Sequence, residues 1–492
     1  MMLLLLSCAL ALAATTQADG SPYPRSAKPP TTLRVYATGG MAPGDQVTLE
    51  TLGGGLAREQ PELYNVATTV ESDSAYSLWL SEMRKHFGVK VDASMLTEPM
   101  KLLGSYKSQI TGYVKHSMTD NSTNAALTFI AGQKPSELLI AVSTPTALTL
   151  MKQMGVPTAL DCTGMTSLDT YKLRGAAAFS GNMISFQPEY QWSNLAEYAV
   201  FAGAPTIEWA CTHTPPNAPK NWGDLCTKDF PGGGEAAELA VSDFNKASRG
   251  LKVALGWGPE SAYVAALGEK GFYVHASDDS HDMTPMANVV AHATARRARP
   301  LRLPAAPVQT PPAATAAGKH KIAFLMSDGD NIQWMYNAFP IQKQWWGSPD
   351  RGTVPIGWTI SPGLVELGPV IVDFLARTAT PKDDFIAAPS GVGYAYPSVW
   401  ADDQLKAFGK MTGEYMAKTS TALGGAGKMK VVNTIGDPCT GGVFYPGCPG
   451  LQQPNMSAVA PVLDHDRESR NRFGIFSQHI WNFLSELFRT IC

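Results

Sequence analysis

Two short segments of this chain gather carboxylates and aromatic rings just beyond apolar runs. Ser327-Asp328-Gly329-Asp330-Asn331 follows the run Lys321–Met326, and Ser390-Gly391-Val392-Gly393-Tyr394-Ala395-Tyr396-Pro397 follows Asp384–Pro389. Asp437 stands just past a third run, Lys430–Ile435, and Glu366 just past a fourth, Ile356–Ser361, which contains Trp358. Two carboxyl groups held close together repel, so one keeps its proton while the other ionises. Such a pair can cleave a glycosidic bond: one group protonates the leaving oxygen, and the other attacks or activates water. Aromatic faces stack on pyranose rings, and glycines let a backbone approach closely. The catalytic candidates are therefore Asp328, Asp330, Asp437 and Glu366, with Asp328 and Asp330 first. The substrate-binding candidates are Asn331, Trp358, Tyr394, Tyr396, Gly391 and Gly393.

Each has a plainer reading. Asp-Gly-Asp-Asn makes a good turn, and its carboxylates can cap the next helix. Asp437 before Pro438 also reads as a turn, and Glu366 as a carboxylate at a helix start. Trp345-Trp346 either flanks a cleft or packs. The tetrapeptide lacks the later ligands of a calcium loop. The cysteines show no CxxC and no HxxxH accompanies them, so no metal is expected. Neither a dinucleotide fingerprint nor a phosphate loop is present, so no cofactor is expected either.

What must position these residues is a set of parallel strands, because reactive groups in α/β folds gather at the carboxyl ends of the strands. After residue 320, strand-like runs at Lys321–Met326, Ile356–Ser361, Asp384–Pro389 and Lys430–Ile435 alternate with helical patterns. Gly363–Arg377 carries Leu364, Leu367, Val370, Ile371 and Phe374 on one face, and a later segment carries Leu405, Phe408, Met411 and Tyr415. Asp383 and Asp384 begin their strand and should face the opposite, stabilising side. Before the linker, strands at Leu33–Thr38, Leu138–Ser143, Leu251–Trp257 and Gly271–His275 alternate with helices at Ser77–Phe87, Pro145–Met154 and Asn194–Phe201. This alternation is α/β.

Residues 293–319 are rich in Pro and Ala without apolar period, which predicts a semi-rigid linker with a solvated basic cluster at Arg296, Arg297, Arg299 and Arg302. The expected layout is an N-terminal α/β domain (19–292) followed by a (β/α)-barrel-like C-terminal domain (320–492). That second domain is shorter than the ~200 residues a complete barrel needs, so the barrel is expected to be incomplete. Its end is an amphipathic helix with Ile480, Trp481, Leu484, Leu487 and Phe488 on one side.

Apolar residues make up 44% and charged residues 16%, with a formal net charge of -3. That is a globular protein with no basic field for nucleic acid or an anionic membrane. Leu3–Ala14 is an apolar run of signal-peptide length, and Thr16 and Ala18 place cleavage after residue 18. Secretion would put Cys162, Cys211, Cys226, Cys439, Cys448 and Cys492 in an oxidising compartment. Cys211/Cys226 and Cys439/Cys448 each close a short loop and are expected to form disulfides. Asn121 and Asn455 are glycan acceptors in a eukaryotic host.

Three motifs in order make the chain similar to a known family: SDGDN (Ser327–Asn331), GWTISP (Gly357–Pro362) and PSGVGYAYP (Pro389–Pro397). They resemble the GxGYxYP family, whose members are regarded as glycoside hydrolases. The N-terminal half is similar through Thr51–Tyr64, Gly112–Ser117 with Asn124 after it, and Gly256–Glu260. The resemblance implies a barrel-like catalytic domain behind an accessory α/β domain, acting on an oligosaccharide or polysaccharide. A non-catalytic carbohydrate-binding protein and a metal-dependent deacetylase are the alternative functions.

Overall fold

The structure is a computed structural model. It describes residues 21–26, 28–66, 75–120, 122–187, 195–208, 233–248, 250–256, 260–277, 286–297, 324–326, 329–388, 391–396, 399–423 and 429–430. The leader, the sequons, Asp328, Asp437, the two expected disulfides, most of the linker and the C-terminal helix lie outside the described residues.

Among the described residues, the strands form four parallel sheets, and no barrel is seen. The first has the order β2-β1-β3, from β1 (Thr32–Tyr36), β2 (Leu63–Asn65) and β3 (Lys90–Asp92). The second is β5-β4-β6, from β4 (Gly112–Lys115), β5 (Leu139–Val142) and β6 (Thr158–Asp161). The third is β10-β9-β7-β8, from β7 (Met183–Phe186), β8 (Thr206–Ile207), β9 (Lys252–Gly256) and β10 (Phe272–Ala276). The fourth runs in chain order through β11 (Leu325–Met326), β12 (Ile356–Ile360), β13 (Asp383–Ala387) and β14 (Met429–Lys430).

The helices are α1 (Pro43–Ala57), α2 (Ala75–His86), α3 (Lys101–Ser105), α4 (Ser122–Ala131), α5 (Pro145–Met154), α6 (Ser167–Arg174) and α7 (Ala196–Ala202). They continue with α8 (Gly233–Ala247), α9 (Glu260–Gly268), α10 (Val289–Thr294), α11 (Ile332–Tyr336), α12 (Leu364–Leu367), α13 (Pro369–Thr378) and α14 (Asp402–Ala422). Local chemistry sets their ends. Thr144 caps α5 by accepting from the Ala147 N–H, Pro145 opens it, and Gly155 closes it at φ 70°. Thr166 and Asp169 form a reciprocal capping box on α6. The expected helix Gly363–Arg377 is two helices, because Gly368-Pro369 interrupts it.

Alternating side chains send the third sheet's residues to two different cores. Phe272, Val274 and Ala254 pack with residues of α6, α8 and α9, whereas Tyr273, Val253 and Leu255 enter the largest cluster. That cluster also contains Leu33, Tyr64 and Trp79 from the start of the chain and Tyr336, Trp358, Leu375 and Phe408 from beyond the Pro/Ala-rich segment. The two halves therefore share one core. Trp79 donates its indole N–H to the Tyr336 carbonyl at 2.7 Å. Asp373 pairs with Arg297 and Arg377, and Arg377 also pairs with Glu82 of α2. Arg297, expected to be solvated, is thus an anchor between the halves.

Candidate functional site

The three C-terminal motifs meet around the end of β10. Asn331 forms a parallel bridge with Ala276, and Tyr394 forms an antiparallel bridge with Val274, exchanging hydrogen bonds of 2.7 and 2.9 Å. β9 occupies the other edge of β10, so the SDGDN and GVGYAYP loops complete the edge that β9 leaves open. Gly393 makes this possible: a Cβ there would lie 2.5 Å from the Tyr273 ring and 2.9 Å from the Val274 carbonyl. The third motif supplies the ties. Gly329 donates to the Thr359 hydroxyl at 3.1 Å, that hydroxyl donates to the Met326 carbonyl at 2.8 Å, and Ser361 N–H donates to the Gly329 carbonyl at 2.8 Å.

His275 lies at the centre of this convergence. A Cβ on Gly363 would come within 2.6 Å of its Cε1 and 2.8 Å of the Val392 carbonyl. Its Nε2 faces the Tyr23 hydroxyl, which also meets the Tyr273 hydroxyl at 3.0 Å. Tyr23 packs edge-on against Tyr415, and Ser21 reaches the Tyr415 hydroxyl at 3.1 Å. Burial pushes the His275 imidazole down to about 3, so it is neutral at physiological pH. The run Gly271–His275 is legible as a strand, and its histidine is not among the candidate site residues. Its signal was a titratable side chain ending an otherwise apolar run.

The predicted site residues separate into two groups. Asp330 is buried in the SDGDN loop, and half-buried Tyr394 joins the same strand two positions away. Asn331 is in this group too, with its side chain capping α11 by accepting from the Trp334 N–H at 2.9 Å. Trp358 belongs elsewhere, which corrects its expected place on a sugar platform. It is 4% exposed, sits among Phe339 and Trp346, and donates its indole N–H to Asp383 at 2.8 Å. Asp383 also pairs with Arg351 at 2.5 Å, the stabilising role expected at a strand start. Trp346 packs in the same group and bonds Thr378. Tyr396 is likewise in a core, the one that holds Val274 and Phe272. Glu366 is held between Arg25 and Lys418 at 3.9 and 3.2 Å, the helix-start reading. Gly391, at φ 99°, and Gly393 serve backbone packing against Thr412 and β10; ligand approach, expected of both, is not what their geometry shows.

The N-terminal motif is structural as well. A Cβ on Gly54 would collide with the Glu197 carbonyl, so the triple glycine of α1 lets α7 lie directly on it. Arg58 then donates to the Val200, Ala131 and Gln133 carbonyls. This contact buries two carboxyls that sequence reading missed, Glu50 and Glu197. Burial pushes Glu197 up to about 8 against the opposing pull of N–H donors from Asn288 and Val290. Glu50 is raised by burial first and by Glu197 second. Asn288, in the left-handed region at φ 70°, donates to Glu197 at 2.7 Å and exchanges two hydrogen bonds with Asn65. Cys162 is buried with a free thiol pushed up to about 12 by burial. No cluster of three or more metal-ligating side chains occurs among the described residues, and no described helix is long and apolar enough to cross a membrane.

Residues 318–429 match the domain described as "GxGYxYP putative glycoside hydrolase C-terminal domain", and residues 32–108 match "GxGYxYP_N 1st domain". No curated protein matches the chain. A solved structure described as a "putative hydrolase from Bacteroides thetaiotaomicron VPI-5482" is similar at 20% identity and a TM-score of 0.64, over 81% of this chain and 71% of that one. That likeness is one of fold.

Proposed function

We propose that this chain, which carries both domains of the GxGYxYP family, is a secreted hydrolase that cleaves an O-glycosidic bond. The observation that carries the reading is the convergence on one strand end: SDGDN and GVGYAYP bridge β10 two positions apart, at Ala276 and Val274, and GWTISP ties the first loop in place. Active groups in α/β folds gather at such carboxyl ends. In the proposed reaction, Asp328 and Asp330 divide the work. One protonates the leaving oxygen, and the other attacks the anomeric carbon or activates water. Tyr394 offers a ring beside them, and Asp437 is the partner carboxylate on the rim. The barrel-like layout of the C-terminal domain, closure of the 439–448 loop by a disulfide and cleavage after Ala18 belong to the same reading.

The deciding experiment compares wild type with Asp328→Asn and Asp330→Asn on a panel of labelled oligosaccharides. Loss of a carboxyl that transfers the proton should lower turnover by roughly 10²–10⁴-fold, with the melting temperature little changed for Asp328→Asn. Turnover on no substrate, or turnover by both variants equal to that of wild type, would overturn the assignment. N-terminal sequencing of exported protein should begin at Asp19.

A further inference from the structure

The start of the described chain reaches the middle of the site. Tyr23 places its hydroxyl between the Tyr273 hydroxyl, at 3.0 Å, and His275 Nε2, across 250 and 252 positions of sequence. One hydroxyl can donate one hydrogen bond and accept two, enough to hold both partners. All three side chains are buried. The Tyr23 ring also meets Tyr415 edge-on at 5.8 Å, and the Tyr273 ring meets Phe408 at the same centroid distance. Tyr415 and Phe408 both belong to α14, so Tyr23 and Tyr273 together link β10 to the helix that follows GVGYAYP.

The two rings that Tyr23 holds are the ones on which glycines of the converging loops rest. The Tyr273 ring fills the space where Gly393 would carry a Cβ, and the His275 ring fills that space at Gly363, the residue after GWTISP. Ser361 of GWTISP donates its hydroxyl to the Val392 carbonyl at 3.1 Å, which draws the same two loops together. Along β10, Tyr273 and His275 alternate with Val274 and Ala276, which bridge Tyr394 and Asn331. A shift of either ring is therefore felt directly by loop backbone, because no side chain stands between them. We propose that Tyr23 is a positioning residue: by fixing the Tyr273 and His275 rings, it holds the SDGDN and GVGYAYP loops in register at the end of β10. That these loops cleave a glycosidic bond rests on the function proposed above; the positioning rests on the contacts alone.

Hydrogen–deuterium exchange on the full chain tests this with Tyr23→Phe, which keeps the ring for Tyr415 and removes the hydroxyl. Peptides covering residues 329–336 and 391–396 should exchange about tenfold faster than in wild type, while those covering 145–154 in α5 keep the wild-type rate. Tyr273→Phe removes the hydroxyl on the other side and should speed exchange at 391–396. Equal protection of both loops in Tyr23→Phe and wild type, or an acceleration as large in α5, overturns the proposal. A kinetic measurement separates positioning from a general structural role. On an oligosaccharide that wild type cleaves, Tyr23→Phe should lower kcat about tenfold and leave KM within about twofold; an unchanged kcat overturns the proposal too. Should wild type cleave none, the glycosidase reading fails, and the exchange rates still decide whether Tyr23 positions the loops.

Discussion

Replacing Glu197 with Gln should reduce the alkaline sensitivity of the fold, with the share owed to the burial of Glu50 remaining. In the native chain the Glu197 carboxyl is buried between α1 and α7 and is pushed up to about 8. A group that binds its proton more tightly when folded contributes stability fully at pH below its unfolded value. The contribution is lost as pH rises through the folded one. Between pH ~4.5 and ~8, at about 1.4 kcal/mol per pH unit, the loss approaches about 5 kcal/mol. Glu50 titrates with it, so the two protons belong to the pair. Glutamine keeps an acceptor for the Asn288 N–H, now at 2.7 Å from Glu197, but cannot ionise. Urea midpoints measured at pH 5, 7 and 9 provide the assay. Glu197→Gln should match wild type within about 1 kcal/mol at pH 5 and exceed it by several at pH 9. The pH 7–9 interval excludes the buried histidines, which already hold their neutral form there. A variant whose midpoint falls between pH 5 and 9 as steeply as wild type's would refute the reasoning.

Acid should destabilise the fold through its buried imidazoles. His292 is pushed down to about 3 by burial among Tyr64, Trp79 and Tyr336, and its stabilising contribution is present above pH ~6.5 and lost as pH falls toward 3. His292→Phe should shrink the drop in urea midpoint between pH 7 and 4.5, a loss of about 3 kcal/mol at that one residue. Trp358→Phe should cost about 2–4 kcal/mol in urea unfolding, by losing ring burial and the donor to Asp383. It should leave kcat/KM within about 3-fold of wild type on any oligosaccharide cleaved, since the indole faces the core; a loss above tenfold would restore it to the site. Gly393→Ala should break the Tyr394–Val274 bridge, costing about 1–3 kcal/mol in chemical denaturation, and should lower activity along with it.

The strands and helices with strong apolar periods were legible in the sequence. Pro145–Met154 was read to the residue, and β1, β9, β10, β12 and β13 within one or two positions, because each combines a run of buried side chains with a turn or cap signal. α1 was passed over, since Gly53-Gly54-Gly55 reads as a loop until the helix that rests on it is known. The site was half legible. SDGDN and GVGYAYP stood out by composition, and both do engage one strand. Trp358 and Tyr396 misled because an aromatic beside a strand end has the same appearance whether it faces a cleft or a core; only the position of Asp383 and the packing around Val274 separates the cases. Glu50, Glu197 and His275 were hidden for a related reason. Their burial comes from contacts between segments far apart in the chain, which no local pattern records.

Tyr23 has a consequence for how the chain is made. Its ring rests on Tyr415, and neighbouring Ser21 bonds the same tyrosine across 394 positions of sequence. At a synthesis rate of about 5–20 residues per second, the seat for this segment does not exist until about 20–80 s after the segment itself emerges. The first sheet can pair in that interval, but the polypeptide around Tyr23 must wait in solvent for its partner. The segment that seals His275 can dock only once Tyr415 has been made, and until then a protease or chaperone can act on it in the newborn protein.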